Sequence, residues 1–172
     1  MSGDTGGFRY SNVTKRSMEY GAEIIGTGID HAEINRIIFD SKTMGEIRAQ
    51  RLTYEKMELL CGGALAIIVF TNEMKAQNNI TDDDISDIVN CIRGIDSTMV
   101  AVSIKQNTRD PNKYSVSSRA NCDIDVSQVC AKLGGGGHTR ASGATVIAPD
   151  PVSAFNACVP LFEEAVNQYK AR

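Results

Sequence analysis

The residues best equipped for chemistry in this chain sit in one stretch, GGGGHTRASG at 134–143. Each glycine gives up more backbone freedom on folding than any other residue, so four in a row need a reason. A helix end needs only one, in the left-handed position just past its cap. A slack linker is a poor account, because regular elements are expected within a few residues on either side. Bare backbone can instead bring N–H groups together on an anion, which makes Gly134, Gly135, Gly136 and Gly137 candidates for holding a phosphate. His138 and Arg140 follow at once and add side-chain donors, and His138 is one of only 2 histidines in the chain.

The elements that must position this stretch read from periodicity and caps. Met18, Ala22 and Ile25 share a face and predict a helix from about Thr14 to Gly26. Asp30 and Glu33 form a capping box for a second helix, with Ile29 stapled to Ile34. Thr43 and Glu46 repeat the box for a third helix to about Leu60, whose Arg48, Arg51, Glu55, Lys56 and Glu58 predict a solvated connection. After Gly63 the apolar run ALAIIVF predicts a strand buried on both faces. Thr81 caps one helix running to Gly94, with Ile85, Ile88, Val89 and Ile92 inward. TMVAVSI and KYSVSSR read as strands joined by the turn NTRDPN. Asp125 starts a helix that carries Val126, Val129, Cys130 and Leu133 into the glycines, and SGATVIA follows as a strand. Asp150-Pro151 opens a last helix with Phe155, Cys158, Val159, Phe162, Val166 and Tyr169 on its buried side.

The expected fold class is therefore α/β. A β-α-β-β-α-β-α domain with a mixed sheet fills 62–172, and a linker helix occupies 43–61. Residues 1–42 look like the helical tail of another, truncated domain.

Composition narrows the function. With 172 residues, 42% apolar content and a net charge of −3, the chain can bury a sizeable core but is no bulk electrostatic binder of long nucleic acid. A small nucleotide held by a few placed cations fits that charge. The 5 cysteines form no C-x-x-C pair and lie mostly among apolar residues, as expected for reduced core thiols in a cytosolic protein rather than a zinc site. No run reaches the roughly 18 apolar residues of a membrane span, and the start lacks a signal-peptide layout, so a soluble, cytoplasmic chain without a membrane partner is expected.

At this point two motifs carry a resemblance. KLGGGGHTRASG resembles the signature of the C-terminal substrate-binding domain of the Asp-His-His (DHH) phosphoesterases, most of all the branch of nanoRNases and phosphoadenosine-phosphate phosphatases. GDTGGFRYSN at 3–12 is similar to that family's last catalytic motif, and the layout between the two is similar as well, so the resemblance covers nearly the whole chain. It implies hydrolysis of short RNA or small nucleotides by a larger enzyme holding two metal ions, usually manganese, and it allows a homodimer. Of the metal ligands only Asp4 is present, and Arg9 from the same motif joins the substrate contacts. His31 has no Asp or His cluster near it, so this chain alone is expected to be inactive.

One departure stands out. Members of this branch often read Ser-x-Arg-Ser on the strand before the glycine helix, whereas this chain reads Ser115-Val116-Ser117-Ser118-Arg119. Arg119 points to the same face two residues on, and is either a substitute phosphate contact or a solvated strand-end residue. The motifs are shared by cyclic-dinucleotide phosphodiesterases and inorganic polyphosphatases. A similar glycine-rich domain is appended to alanyl-tRNA synthetases, where it binds RNA without chemistry, and the Asp-Thr-Gly turn argues against that alternative.

Overall fold

A computed structural model describes residues 1–10 and 12–172; Ser11, inside the GDTGGFRYSN stretch, lies outside the described residues. The chain divides into two compact units, Met1–Thr43 and Met44–Arg172.

The first unit is helical. α1 spans Ser2–Thr5, α2 Lys15–Gly26 and α3 His31–Asn35, the last continuing into a π-helical turn, Arg36–Asp40. Thr14 and Ser17 cap α2 reciprocally, each side chain accepting from the other's backbone N–H. At α3 only half of the expected capping box forms. Asp30 accepts from the Glu33 amide at 2.9 Å, but the Glu33 carboxylate turns away to Arg36 at 2.6 and 2.8 Å. The apolar face read from α2 is present but not packed: Met18, Ile24 and Ile25 are exposed, as are Ile37 and Ile38 in the π-helical turn.

The second unit begins with α4, Met44–Lys56, and continues through the short strand β1, Glu58–Leu60, and β2, Leu65–Phe70. Next come α5, Asn72–Gln77, a 3-10 turn at Asp83–Ile85, and α6, Val89–Arg93. Strands β3, Val100–Gln106, and β4, Lys113–Ala120, lead to α7, Val126–Lys132. The hairpin of β5, Gly136–His138, and β6, Ala141–Ile147, precedes α8, Pro151–Lys170. The six strands form one sheet in the order β1-β2-β3-β4-β6-β5, with β2 and β3 parallel and every other pair antiparallel, so the expected α/β class with a mixed sheet is found.

Each face of the sheet carries its own core. Leu65, Ile67, Val102, Ile104 and Val116 meet Val126 and Val129 of α7 and Cys158, Phe162 and Val166 of α8. Ala66, Ile68, Phe70 and Ala101 meet Ile85, Ile88, Val89 and Ile92, with Ala49 and Leu52 of α4. β2 is apolar on both sides because it feeds both cores. None of the five cysteines is in a disulfide. Burial, with Cys130 nearby, pushes the Cys158 thiol up to about 11. No helix among the described residues is long and apolar enough to cross a membrane.

Three expectations are corrected. The helix read to about Leu60 stops at Lys56, because Glu58–Leu60 finds backbone partners along the edge of β2. The turn between them is sharp, with Cys61, Gly62 and Gly63 all at positive φ (53°, 69° and 90°). That helix is not a merely solvated connection either, since Gly45, Ala49, Leu52 and Thr53 are buried within the second unit. The single helix expected over 81–94 is broken into the 3-10 turn and α6, preceded by α5 under a Thr71 cap. The inward residues of that segment were nonetheless read correctly, and Ile85, Ile88, Val89 and Ile92 are all buried.

Candidate functional site

The glycine run is assembled from the helix before it. Asp125 caps α7, accepting from the Ser127 amide at 3.0 Å. The helix ends in a paired capping arrangement: Gly134 donates to Ala131 at 3.0 Å, Gly135 donates to Cys130 at 2.8 Å, and Gly134 takes φ 74°. At least two of the four amides are thus engaged inside the chain, so the run does not present four converging donors as its sequence suggests. The last two glycines are strand, because Gly136 pairs with Gly143, Gly137 with Ser142 and His138 with Ala141.

Taken one at a time, the glycines have different reasons to be glycine. Gly134 needs its left-handed φ. A Cβ on Gly135 would collide with the Gly143 carbonyl oxygen and with Ala144. Gly137 has φ 146°, and its Cβ would lie 2.7 Å from the Ala141 carbonyl oxygen. Gly136 has neither constraint: its φ is not positive, and a Cβ there meets nothing within 4 Å.

Strand alternation and register place the other candidates. Across β3, β4, β6 and β5 one row reads Ala101, Arg119, Ala141, His138, and the next reads Ser103, Ser117, Gly143, Gly136. A third row holds Lys105, Ser115 and Thr145. These residues share the face opposite α7 and α8. The part of it on β4, β6 and β5 is half-buried or exposed, because the second core reaches only β2 and Ala101 of the sheet. The result is a floor of Gly, Ala and Ser with cations around it. Neighbouring strands lie about 4.8 Å apart, so Arg119 and His138, two strands apart in one row, can flank a single small anion.

The cations differ in how far they are already committed. Arg119 spends one guanidinium N–H on the Ser118 carbonyl at 2.9 Å, and His138 is fully on the surface. Arg140, in the two-residue turn of the β5–β6 hairpin, donates to Asp123 at 2.6 Å and stands outside the rows. Lys105 was not foreseen. Its ammonium donates to the Ser86 carbonyl at 3.2 Å. Burial pulls its pKa below the usual lysine value, Asp87 and Asp82 hold it up, and Arg119 pushes it further down, so the two cations feel each other across the face. Read alone, a lysine at a strand end looks like ordinary solvated charge; only the pairing of β3 with β4 brings it to the same face as Arg119.

The residues expected at a metal site lie in the first unit. Asp4, on α1, has its side chain 92% exposed, with the Met1 amino group at 3.9 Å. His31 is exposed at the start of α3. Among the described residues no three His, Cys, Asp or Glu side chains are grouped closely enough to hold a metal ion. Arg9 donates to the Gly6 carbonyl at 2.7 Å and lies over the Phe39 ring at 5.0 Å.

Comparison with known proteins bears on the family and the fold. The profile of the family described as "DHHA1 domain" matches residues 63–168. The bifunctional oligoribonuclease and PAP phosphatase NrnA of Thermus thermophilus is 28% identical over 166 residues, covering 96% of this chain and 48% of that protein. The probable enzyme of the same description from Streptococcus mutans is 31% identical over 143 residues, 83% of this chain and 44% of its own length. The chain thus spans about half the length of the curated relatives it matches. Among solved structures, an exopolyphosphatase-related protein from Bacteroides fragilis superposes with a TM-score of 0.81 at 23% identity, over 99% of this chain and 48% of that one, which shows a shared fold.

Proposed function

From the chain's membership of the DHHA1 domain family, within the DHH phosphoesterases, we propose that it holds the substrate of a phosphoesterase acting on short oligoribonucleotides or small nucleotides such as phosphoadenosine phosphate. The reading is carried by Gly136. It is the one glycine of the run that the fold itself does not require, and it lies beside Gly143 and one position from His138 on the open face. Space left bare there lets a ligand approach the backbone.

On this reading a phosphate rests on the Gly136–Gly143 floor. His138 and Arg119 donate to it from either side, and Lys105 adds charge from the next strand. A hydrogen bond to a charged group contributes about 1.5–3 kcal/mol, so two or three suffice for a weak but specific hold on a nucleotide. The family resemblance brings two manganese ions, which activate water and draw charge from phosphoryl oxygens when bound. This chain's own residues do not fit them. Such ions need several oxygen or nitrogen donors in preformed positions, and among the described residues Asp4 belongs to no group of three His, Cys, Asp or Glu side chains. The contribution derived for this chain is binding and orientation.

Adenosine monophosphate titrated into the labelled chain and followed by NMR should move the amides of 136–143. Removing one donor to the charged phosphate by His138→Ala should weaken binding about ten- to a hundredfold without unfolding the protein, since His138 is exposed. Affinity unchanged both in that variant and in Arg119→Gln would sink the reading.

A further inference from the structure

The open face runs into a cleft at the end of β3 that the phosphate does not need. The cleft encloses about 310 Å³ and is lined by Asp82, Ile85, Ser86, Lys105, Asn107 and Ser115. Ser115 lies four residues from Arg119 on β4, about 13 Å at the usual strand rise. A phosphate on the Arg119–His138 row therefore leaves the rest of one nucleotide within reach of the cleft.

The chemistry changes along that distance. Arg119 presents positive charge and His138 a ring donor beside bare backbone. In the cleft, Lys105 is answered by Asp82 and Asp87, both of which favour its charged form. A second phosphate would meet the Asp82 carboxylate there, whereas a neutral group with its own donors and acceptors would not be repelled. The wall carrying Asp82 is also built to stay in place. Lys75 is only 4% exposed, yet its ammonium is fully engaged, with Asp82 at 2.5 Å and with the Gln106 carbonyl and Thr108 hydroxyl at 2.9 Å each. Thr108 donates in turn to the other Asp82 oxygen at 2.6 Å. A buried ammonium is costly unless its partners hold it well, so this network ties Asp82 to the end of β3 and keeps the carboxylate at the cleft. Asn107 is oriented as well: its Oδ1 accepts from the Arg109 and Asp110 amides at 2.8 and 2.9 Å, which leaves its NH2 group to donate. Ile85, buried in the second core, backs the cleft from beneath.

We propose that this cleft takes the base of the nucleotide whose phosphate lies on the Arg119–His138 row, with Asp82 accepting and Asn107 donating at the base edge. Lys105 lines the cleft beside Ser115, on the strand next to it. The inference rests on the phosphate reading above, and three probes separate the two.

The full labelled chain is titrated with adenosine monophosphate, ribose 5-phosphate and adenosine. Adenosine monophosphate should move the amides of both 136–143 and 85–86 with 105–107, ribose 5-phosphate only the first set, and adenosine only the second. Adenosine monophosphate should bind about tenfold more tightly than ribose 5-phosphate. Ser86→Phe, which fills the cleft from an exposed position, should erase that advantage and leave ribose 5-phosphate binding as it was. Equal affinities in the unsubstituted chain, with shifts confined to 136–143, overturn the base subsite and leave the phosphate site standing. Adenosine acting at 85–86 and 105–107 while no phosphate compound touches 136–143 supports the cleft and overturns the phosphate site. If no probe moves either set of amides, both are overturned.

Discussion

At the scale of single residues, the glycine run is four separate solutions placed side by side. Gly134 turns the chain out of α7, Gly135 lets it cross β6, Gly137 fits against Ala141 and Ser142, and Gly136 is left free. Substitutions should sort them. Gly135→Ala must push into the Gly143 carbonyl and Ala144, an overpacking that costs about 1–3 kcal/mol and should lower the melting temperature. Gly136→Val should melt like the unsubstituted protein, since a β-branched residue suits a strand and finds nothing to strike. It should nonetheless bind adenosine monophosphate at least tenfold more weakly, because its side chain occupies the approach to the backbone. If Gly136→Val binds normally, the bare backbone there serves no ligand. The sequence marked this run and His138 as a candidate site but could not divide the labour among the glycines, because their constraints depend on the capping of α7 and on the exact pairing of β5 with β6. Lys105 stayed hidden for a like reason, the pairing of β3 with β4.

At the scale of elements, the strong periodic segments were legible and the short ones were not. β2, β3, β4, β6, α7 and α8 announce themselves by alternation, apolar runs or caps. β1 and β5 are three-residue edge strands, and Gly-Gly-His has no strand preference of its own; it is strand because β6 pairs with it. The segment between Thr81 and Gly94 had the right apolar spacing but is interrupted at 86–88, between the 3-10 turn and α6, while Asp82, just ahead of that turn, joins the Lys75 network. That network has a pH signature. Partial burial pushes the Asp82 carboxyl up, and hydrogen bonds from Lys75 and Thr108 outweigh this, leaving it below the usual aspartate value. A carboxyl depressed in the folded state contributes stability above its unfolded pKa and loses it as pH falls through the folded one. Asp82→Asn should therefore cost about 1 kcal/mol at neutral pH, a figure discounted for the half-exposed carboxyl. The gap should close as the pH drops below the ordinary aspartate range. A gap that stays constant down to acid pH would show that the charge of Asp82 does not matter.

At the scale of the whole molecule, the two units differ in how well they bury their apolar residues. The second has a core on each face of its sheet. The first leaves Met18, Ile24, Ile25, Ile37 and Ile38 exposed. Helix pattern alone shows that such a face exists, but not whether anything covers it. Limited proteolysis should cut within residues 1–43 and leave a resistant fragment that still contains α4, because Ala49 and Leu52 belong to the second core. A resistant fragment beginning near residue 62 would show that α4 contributes little to that core.

The thiols give this molecule an internal clock. Cys158 is fully buried and, at a pKa of about 11, carries almost no thiolate at neutral pH, and the thiolate is the form that alkylating reagents attack. Cys61, Cys91 and Cys122 are partly accessible and should be modified early. Cys158 should be modified only in molecules whose second unit has opened, so its labelling rate counts openings. A nucleotide that binds only the closed form lowers the open population by the factor 1 + [L]/Kd. The slowing of Cys158 alkylation by a nucleotide thus yields its affinity with no need for turnover.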